Sequence, residues 1–302
     1  MFCREGRGGS LCRLKWLRTV GLVAAVAPVT WLFVLLEKEE VQAAADCRQA
    51  TLAFSDRRLQ SLSSSMLKGL TSLPCGVVDE GVCEDAKVEL VWPEEASEDL
   101  RRRKRKRKPV KLILTLGSLR RTTLAAPRKH LLLATPRPQQ LERILPQVAQ
   151  MGVATLLLCG ASKVDPKYFR SHILQMPFLK RCLAKGLAAA RDTTMPKVIV
   201  HPNLQELLSQ LDHFLPRDKA FRLVGHPSGA KLPELSTGDT LTQGRREALV
   251  AVGPEAGWSE DEPSELDMLS SSGFQSMSLG QRILRSDVAT TTLLALAEQM
   301  LA

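Results

Sequence analysis

The sequence of 302 residues predicts an α/β protein, with a small β-rich domain followed by a larger domain built on a mostly parallel sheet covered by helices. Two observations carry that prediction. Up to about residue 125 the apolar residues fall in short runs separated by turn-type and polar residues; after Pro127 strand-like and helix-like patterns alternate. A composition of 44% hydrophobic and 25% charged residues, with 19 Gly and 17 Pro, excludes collagen, coiled coil and full disorder.

The elements follow in order. Leu32 to Leu36, followed by Glu37, Lys38 and Glu39, has the look of a buried strand opening a domain. Strands are predicted at Ala50 to Phe54, Cys75 to Val78, Lys87 to Trp92 and Val110 to Leu116. In the second part His130 to Ala134 reads as a strand, and Gln139 to Met151 as a helix with Leu141, Ile144, Leu145 and Val148 on one face. Val153 to Cys159 is a buried strand. The alternation continues with a helix at Phe178 to Ala190, a strand at Lys197 to Val200 and a helix at Leu204 to Phe214. Strands at Phe221 to Val224 and Ala248 to Val252 and a last helix at Ser286 to Leu301 complete it. Such a βα alternation implies ligands at the carboxyl ends of parallel strands. The organisation expected is an extension over 1–31, a β domain over 32–125 and an α/β domain over 128–302.

The formal charge of +10 is unevenly placed. The run Arg101 to Lys108 holds eight basic residues, and the first 36 residues carry +4, which leaves −2 for the remainder. Attraction to polyanions should therefore be local and salt-sensitive. The basic run reads as a solvated insertion between two strands; as a nuclear-type signal or a phosphate-binding arm it remains open. Near the start, Val20 to Leu36 is a run of seventeen uncharged residues behind an Arg-rich, acid-poor stretch. A membrane anchor needs about 20 apolar residues, and Pro28 interrupts this one. Organellar targeting to a chloroplast or mitochondrion is the favoured reading, with a secretory signal, a membrane anchor and a cytoplasmic location as alternatives. The seven cysteines (3, 12, 47, 75, 83, 159 and 182) show no zinc-ligand spacing and no disulfide framework, so no metal is expected.

Two segments carry glycine loops directly after strands: Gly253-Pro254-Glu255-Ala256-Gly257-Trp258 and Ser278-Leu279-Gly280-Gln281-Arg282-Ile283-Leu284-Arg285. Glycines there let the main chain turn sharply and approach a ligand closely. Ser259 is placed to cap a helix begun by Glu260 to Glu262. Walker-type, GxGxxG and HExxH patterns are absent. His130, His172, His201 and His213 have no partners at ligand spacing, and Trp258 and Cys159 read as packing residues.

GPEAGWSEDE (253–262) followed by SLGQRILRSDVA (278–289) resembles the GPEGGxxxxE and LGxRILRxETA pair of the RsmE family of SPOUT methyltransferases. LATPRPQQLERIL (133–145), MGVATLLL (151–158), VDPKYFRSHIL (164–174), GLAAARDTTMPKVIV (186–200) and VGHP (224–227) are similar, in order, to segments of an RsmE-like subgroup. DRRLQSLSSSMLK (56–68) resembles the start of the family's PUA-like RNA-binding β-barrel.

The resemblance implies a SPOUT trefoil-knot domain behind a PUA-like domain, a homodimer, and S-adenosylmethionine-dependent methylation of uridine N3 in small-subunit ribosomal RNA. By position it assigns the cofactor to His226 and Pro227, to Gly253, Pro254, Glu255, Ala256 and Gly257, and to Leu279, Gly280, Ile283 and Leu284. Arg285 is the candidate for stabilising the uridine anion, and Asp287, where the family has Glu, for orienting Arg285 or acting as a base. Arg57, Arg58 and Arg191 are the expected RNA-binding residues, Arg191 alternatively meeting a partner subunit. The sequence departs from the family at Ala256, Ser61, Ala189 and Asp287. A methyl at position 256 is tolerated only where φ is negative. Those departures keep open a second class, an RNA-binding or ribosome-assembly factor with the same fold and no methyl transfer.

Overall fold

The computed structural model describes residues 32–44, 47–60, 62, 67, 70–93, 109–121, 126, 128–231, 244–262 and 264–301. The basic run 101–108, Ser61 and the extension 1–31 lie outside them. Phe33–Ala302 form one compact unit; of the other, Met1–Leu32, only Leu32 is described.

The first sheet has six strands, β1 (Val34–Leu36), β2 (Val41–Ala44), β3 (Cys47–Ala53), β4 (Ser72–Val77), β5 (Gly81–Val91) and β6 (Lys111–Leu116), in the order β1-β4-β5-β6-β3-β2. All its pairings are antiparallel except β1 with β4. Along β6, Leu112, Leu114 and Leu116 are buried while the residues between them are more exposed, the period-two signature of a sheet with one face on a core.

The second sheet is wholly parallel. Its strands β7 (Lys129–Ala134), β8 (Val153–Cys159), β9 (Lys197–His201), β10 (Ala220–Ala230), β11 (Glu247–Val252) and β12 (Phe274–Met277) lie in the order β12-β10-β11-β7-β8-β9. Leu131 to Ala134 and Ala248 to Val252 are buried without alternation, as central parallel strands covered on both faces require. Helices α1 (Pro138–Gln150), α2 (Met176–Ala190) and α5 (Ser286–Leu301) supply Leu141, Ile144, Leu183 and Leu293 to one apolar cluster. On the other side α3 (Leu204–Phe214) and α4 (Glu265–Ser271) pack Leu207, Leu211 and Leu269 with Trp258 and Phe274.

The two sheets share a core. Phe33, Leu35, Val78 and Val82 of the first belong to the same cluster as Leu131 and Leu183. Polar ties reinforce the junction: Asp79 N–H donates to the Thr193 carbonyl at 2.7 Å, and Met195 N–H to Asp79 Oδ1 at 2.9 Å.

One expected element is corrected. Glu260 to Glu262 do not begin a helix: the next helix is α4, capped by Ser264, whose side chain accepts from Asp267 N–H. Ser259 Oγ instead accepts from Asp261 N–H at 3.2 Å, a local turn that competes with helix formation.

Candidate active site

A bulge near the end of β10 and the loops leaving β11 and β12 converge on one cavity of about 530 Å³, within the ordinary range for small-molecule sites. β12, β10 and β11 are adjacent in the parallel sheet, so their carboxyl ends deliver these loops side by side.

Each loop has a local cause. β10 pairs with β12 through Gly225, and its ladder resumes at Ala230, both opposite Met277; His226 to Gly229 are therefore squeezed out of register. A bulge of this kind re-aims side chains at a sheet end. Gly229 is obligatory there, because a Cβ would fall 2.6 Å from the Met277 backbone nitrogen. His226 Nδ1 lies 2.7 Å from Ser228 Oγ, and Nε2 lies 3.7 Å from Glu260 Oε1, which links the first loop to the second.

The second loop is fastened from beneath. The buried Glu265 accepts from Ser259 N–H at 2.7 Å, Ser162 N–H at 2.6 Å and Ser162 Oγ at 2.8 Å, while Lys163 Nζ donates to the Trp258 carbonyl at 3.2 Å. Gly253 serves packing more than ligand approach: a Cβ would meet the buried Trp258 indole at 3.1 Å. The positive φ values fall on Gly257 (+74°) and Gly280 (+112°), each with open space where a side chain would stand. Ala256 is not among the positive-φ residues, so its methyl is accommodated without strain.

Every residue assigned to the cofactor lines this cavity: His226, Pro227, Gly253, Pro254, Glu255, Ala256, Gly257, Leu279, Gly280, Ile283 and Leu284. Arg285 lines it too, and donates through Nη2 to Asp287 Oδ2 at 2.8 Å. Burial works against the Asp287 carboxylate, but the Gln140 amide, the Val288 N–H and the Arg285 charge outweigh it and hold its pKa below the usual range. Asp287 is thus suited to orienting Arg285 and poorly suited to accepting a proton. Trp258 and Cys159 are buried, and His130 is half-buried beside Glu247 at 3.2 Å, outside the cavity.

Of the expected RNA-binding arginines, Arg58 is corrected. Its five donors are spent on Glu40 Oε1 (2.6 Å) and Oε2 (2.7 Å), Asp56 Oδ1 (3.0 Å) and Oδ2 (2.8 Å) and the Leu35 carbonyl (2.9 Å). It fastens the first sheet and has no N–H left to offer RNA. Arg57 is exposed beside it, and Arg191 is exposed at the end of α2 in the left-handed conformation (φ 54°). Lys163, Glu265 and Gln140 were not singled out by the sequence reading. A lysine, a glutamate and a glutamine in polar loops and on an exposed helical edge carry no pattern that separates them from surface residues.

The family of RNA methyltransferase domains matches residues 124–298. The chain belongs to that family. Over 166 residues it is 31% identical to ribosomal RNA small subunit methyltransferase E of Treponema pallidum (strain Nichols), a match spanning 53% of this chain and 58% of that protein. Among solved structures, ribosomal RNA small subunit methyltransferase E of Neisseria gonorrhoeae bound to S-adenosylmethionine shares the fold at a TM-score of 0.61 and 15% identity, covering 89% of this chain and 97% of that one. A Legionella pneumophila methyltransferase in complex with the same cofactor gives a TM-score of 0.61 at 16% identity, covering 90% and 98%. The segment matched by the family, 124–298, contains the whole cavity lining. Among the described residues no cluster of three or more metal-ligating side chains occurs, and no helix is long and apolar enough to cross a membrane.

Proposed function

We propose that this chain transfers a methyl group from S-adenosylmethionine to N3 of a uridine in small-subunit ribosomal RNA. The observation that carries the proposal is the convergence of all three glycine- and proline-bearing loops on one cavity with Arg285 at its edge. The cavity fits the cofactor: main-chain groups at Gly257 and Gly280 are open to approach, and Val252, Leu279, Leu284 and Leu293 give it apolar walls.

When bound, the cofactor supplies an electrophilic methyl on a sulfonium. The protein's part is to hold the uracil ring in line and to lower the cost of its anion, since N3 is a poor nucleophile until its proton leaves. Arg285 does this with a positive charge and a fork of donors at the edge of the cavity. Its side chain is 63% exposed, open to an incoming base, while Asp287 holds one edge of the guanidinium. Because Asp287 stays ionised below the usual carboxylate range, the N3 proton passes to solvent. The new N–C bond forms as the S–C bond breaks.

The same reading includes a trefoil knot through the three converging loops and a homodimer, for which the 93% exposed Ile283 beside the cavity is a candidate contact. It also includes an organellar setting, supported by the basic, acid-poor start of the sequence. Two assays test the core of it. S-adenosylmethionine at 100 times its dissociation constant should stabilise the protein by about 2.7 kcal/mol, and its labelled methyl should enter small-subunit RNA in an Arg285-dependent way. Stabilisation without transfer would favour the non-catalytic RNA-binding factor.

A further inference from the structure

We propose that Gln140, on the first turn of α1, is a positioning residue that sets the plane of the Arg285 guanidinium; the inference rests on the role given to Arg285 above.

Three observations place it there. Arg285 Nη2 has two acceptors, Asp287 Oδ2 at 2.8 Å and Gln140 Oε1 at 3.2 Å, and the second comes from an element 145 positions earlier in the chain. Gln140 Nε2 is buried and makes no hydrogen bond of good geometry within the described residues. The Gln140 amide is also foremost among the groups that lower the Asp287 pKa.

The chemistry explains why an amide stands at this point. A guanidinium only donates and a carboxylate only accepts, so a side chain lodged between them must accept on one edge and donate on the other. Glutamine has both edges without charge: its oxygen accepts from Arg285, and its buried amide nitrogen is a donor still to be used. A glutamate would pair with Arg285 but repel Asp287, and a lysine would do the reverse. Asp287 alone, two residues from Arg285 on the same segment, fixes one direction of a long side chain that is mostly in solvent. A second acceptor from α1 fixes another, and it couples the loop after β12 to a helix anchored in the core through Leu141 and Ile144. Preorganisation of this kind lowers the cost of orienting a charge at the moment of reaction. Arg285 is the charge that lowers the Asp287 pKa, so the Asp287 titration reports on this cluster.

The test compares wild type with Gln140→Met, which keeps the length and removes both polar edges, and with Gln140→Glu. NMR titration of the Asp287 carboxyl needs no substrate; both variants should raise its pKa, Gln140→Glu more. In methyl transfer, Gln140→Met should lower kcat by about tenfold, the scale of one lost charge-assisted hydrogen bond, with the affinity for S-adenosylmethionine unchanged. An Asp287 titration and a kcat equal to wild type in Gln140→Met would overturn the proposal. If Gln140→Met does not fold, Gln140→Glu decides it through the same titration. If the wild-type protein transfers no methyl group, the functional reading fails, while the titration still decides whether Gln140 positions the pair.

Discussion

Arg285 and Asp287 meet at 2.8 Å where the loop after β12 enters α5, the arginine mostly exposed to the cavity and the aspartate mostly covered. On the proposed reading the asymmetry gives each a role: the exposed charge is the one that would face the substrate, and the covered one holds it. Arg285→Ala should reduce kcat by about a hundredfold or more, as loss of a donor to a developing anion does, and leave the dissociation constant for S-adenosylmethionine nearly unchanged. Single-turnover kinetics with isothermal titration separates the two effects. Turnover within a factor of about two of wild type would remove Arg285 from the mechanism.

Asp287 makes an acid-side prediction. Its folded pKa lies below its unfolded value, so its contribution to stability is complete above the unfolded pKa and is lost as pH falls through the folded one. Asp287→Asn should flatten that part of the stability curve in denaturant titrations at successive pH values. A curve parallel to wild type would show that the carboxylate is not held as described.

The glycines of the cofactor loops differ in what they tolerate. Gly280, at φ +112°, should cost about 1–3 kcal/mol on replacement by alanine, and the reshaped loop should bind cofactor more weakly. Ala256→Gly should change stability by no more than about 1 kcal/mol and leave cofactor affinity as it is, because Ala256 needs no glycine conformation. Thermal shifts with and without S-adenosylmethionine read both. A gain of affinity in Ala256→Gly would mean that the alanine impairs the site.

Arg58 is predicted to matter for folding and not for RNA. Its charge is shared by Glu40 and Asp56, whose carboxyl pKa values are both held low. Arg58→Ala removes the guanidinium from those acids and from the Leu35 carbonyl, leaving the acids only their backbone donors, at a cost of about 1–3 kcal/mol in urea unfolding. The loss should shrink as pH falls and the acids protonate. RNA affinity of the folded variant, measured at fixed salt, should match wild type, whereas Arg57→Ala should weaken it modestly.

Periodicity made the second sheet legible. β8, α3 and α5 have the bounds their apolar spacing predicts, because each buries a regular face in a core. β2 was missed because it is a sheet edge of four residues, and β12, Phe-Gln-Ser-Met, was implied only by the glycine loop that follows it because it buries only its ends. Ser259 looked like a helix cap because Ser followed by acids is the local signal, yet Glu265 captures its N–H and delays the helix to Ser264. The cavity lining was legible through the family resemblance, since glycines and prolines at fixed spacing leave a strong trace. Gln140, Lys163 and Glu265 left none, because their partners lie far along the chain. Arg58 was misread for the converse reason: a basic pair in a motif does not reveal that acids close around one member.

The most direct measurement is mass spectrometry of nucleosides from unmodified small-subunit ribosomal RNA after incubation with the protein and methyl-labelled S-adenosylmethionine. Label is expected in N3-methyluridine and is abolished by Arg285→Ala. Label in no nucleoside, or in one methylated at another position, from a folded protein that binds the cofactor, would contradict the proposed function.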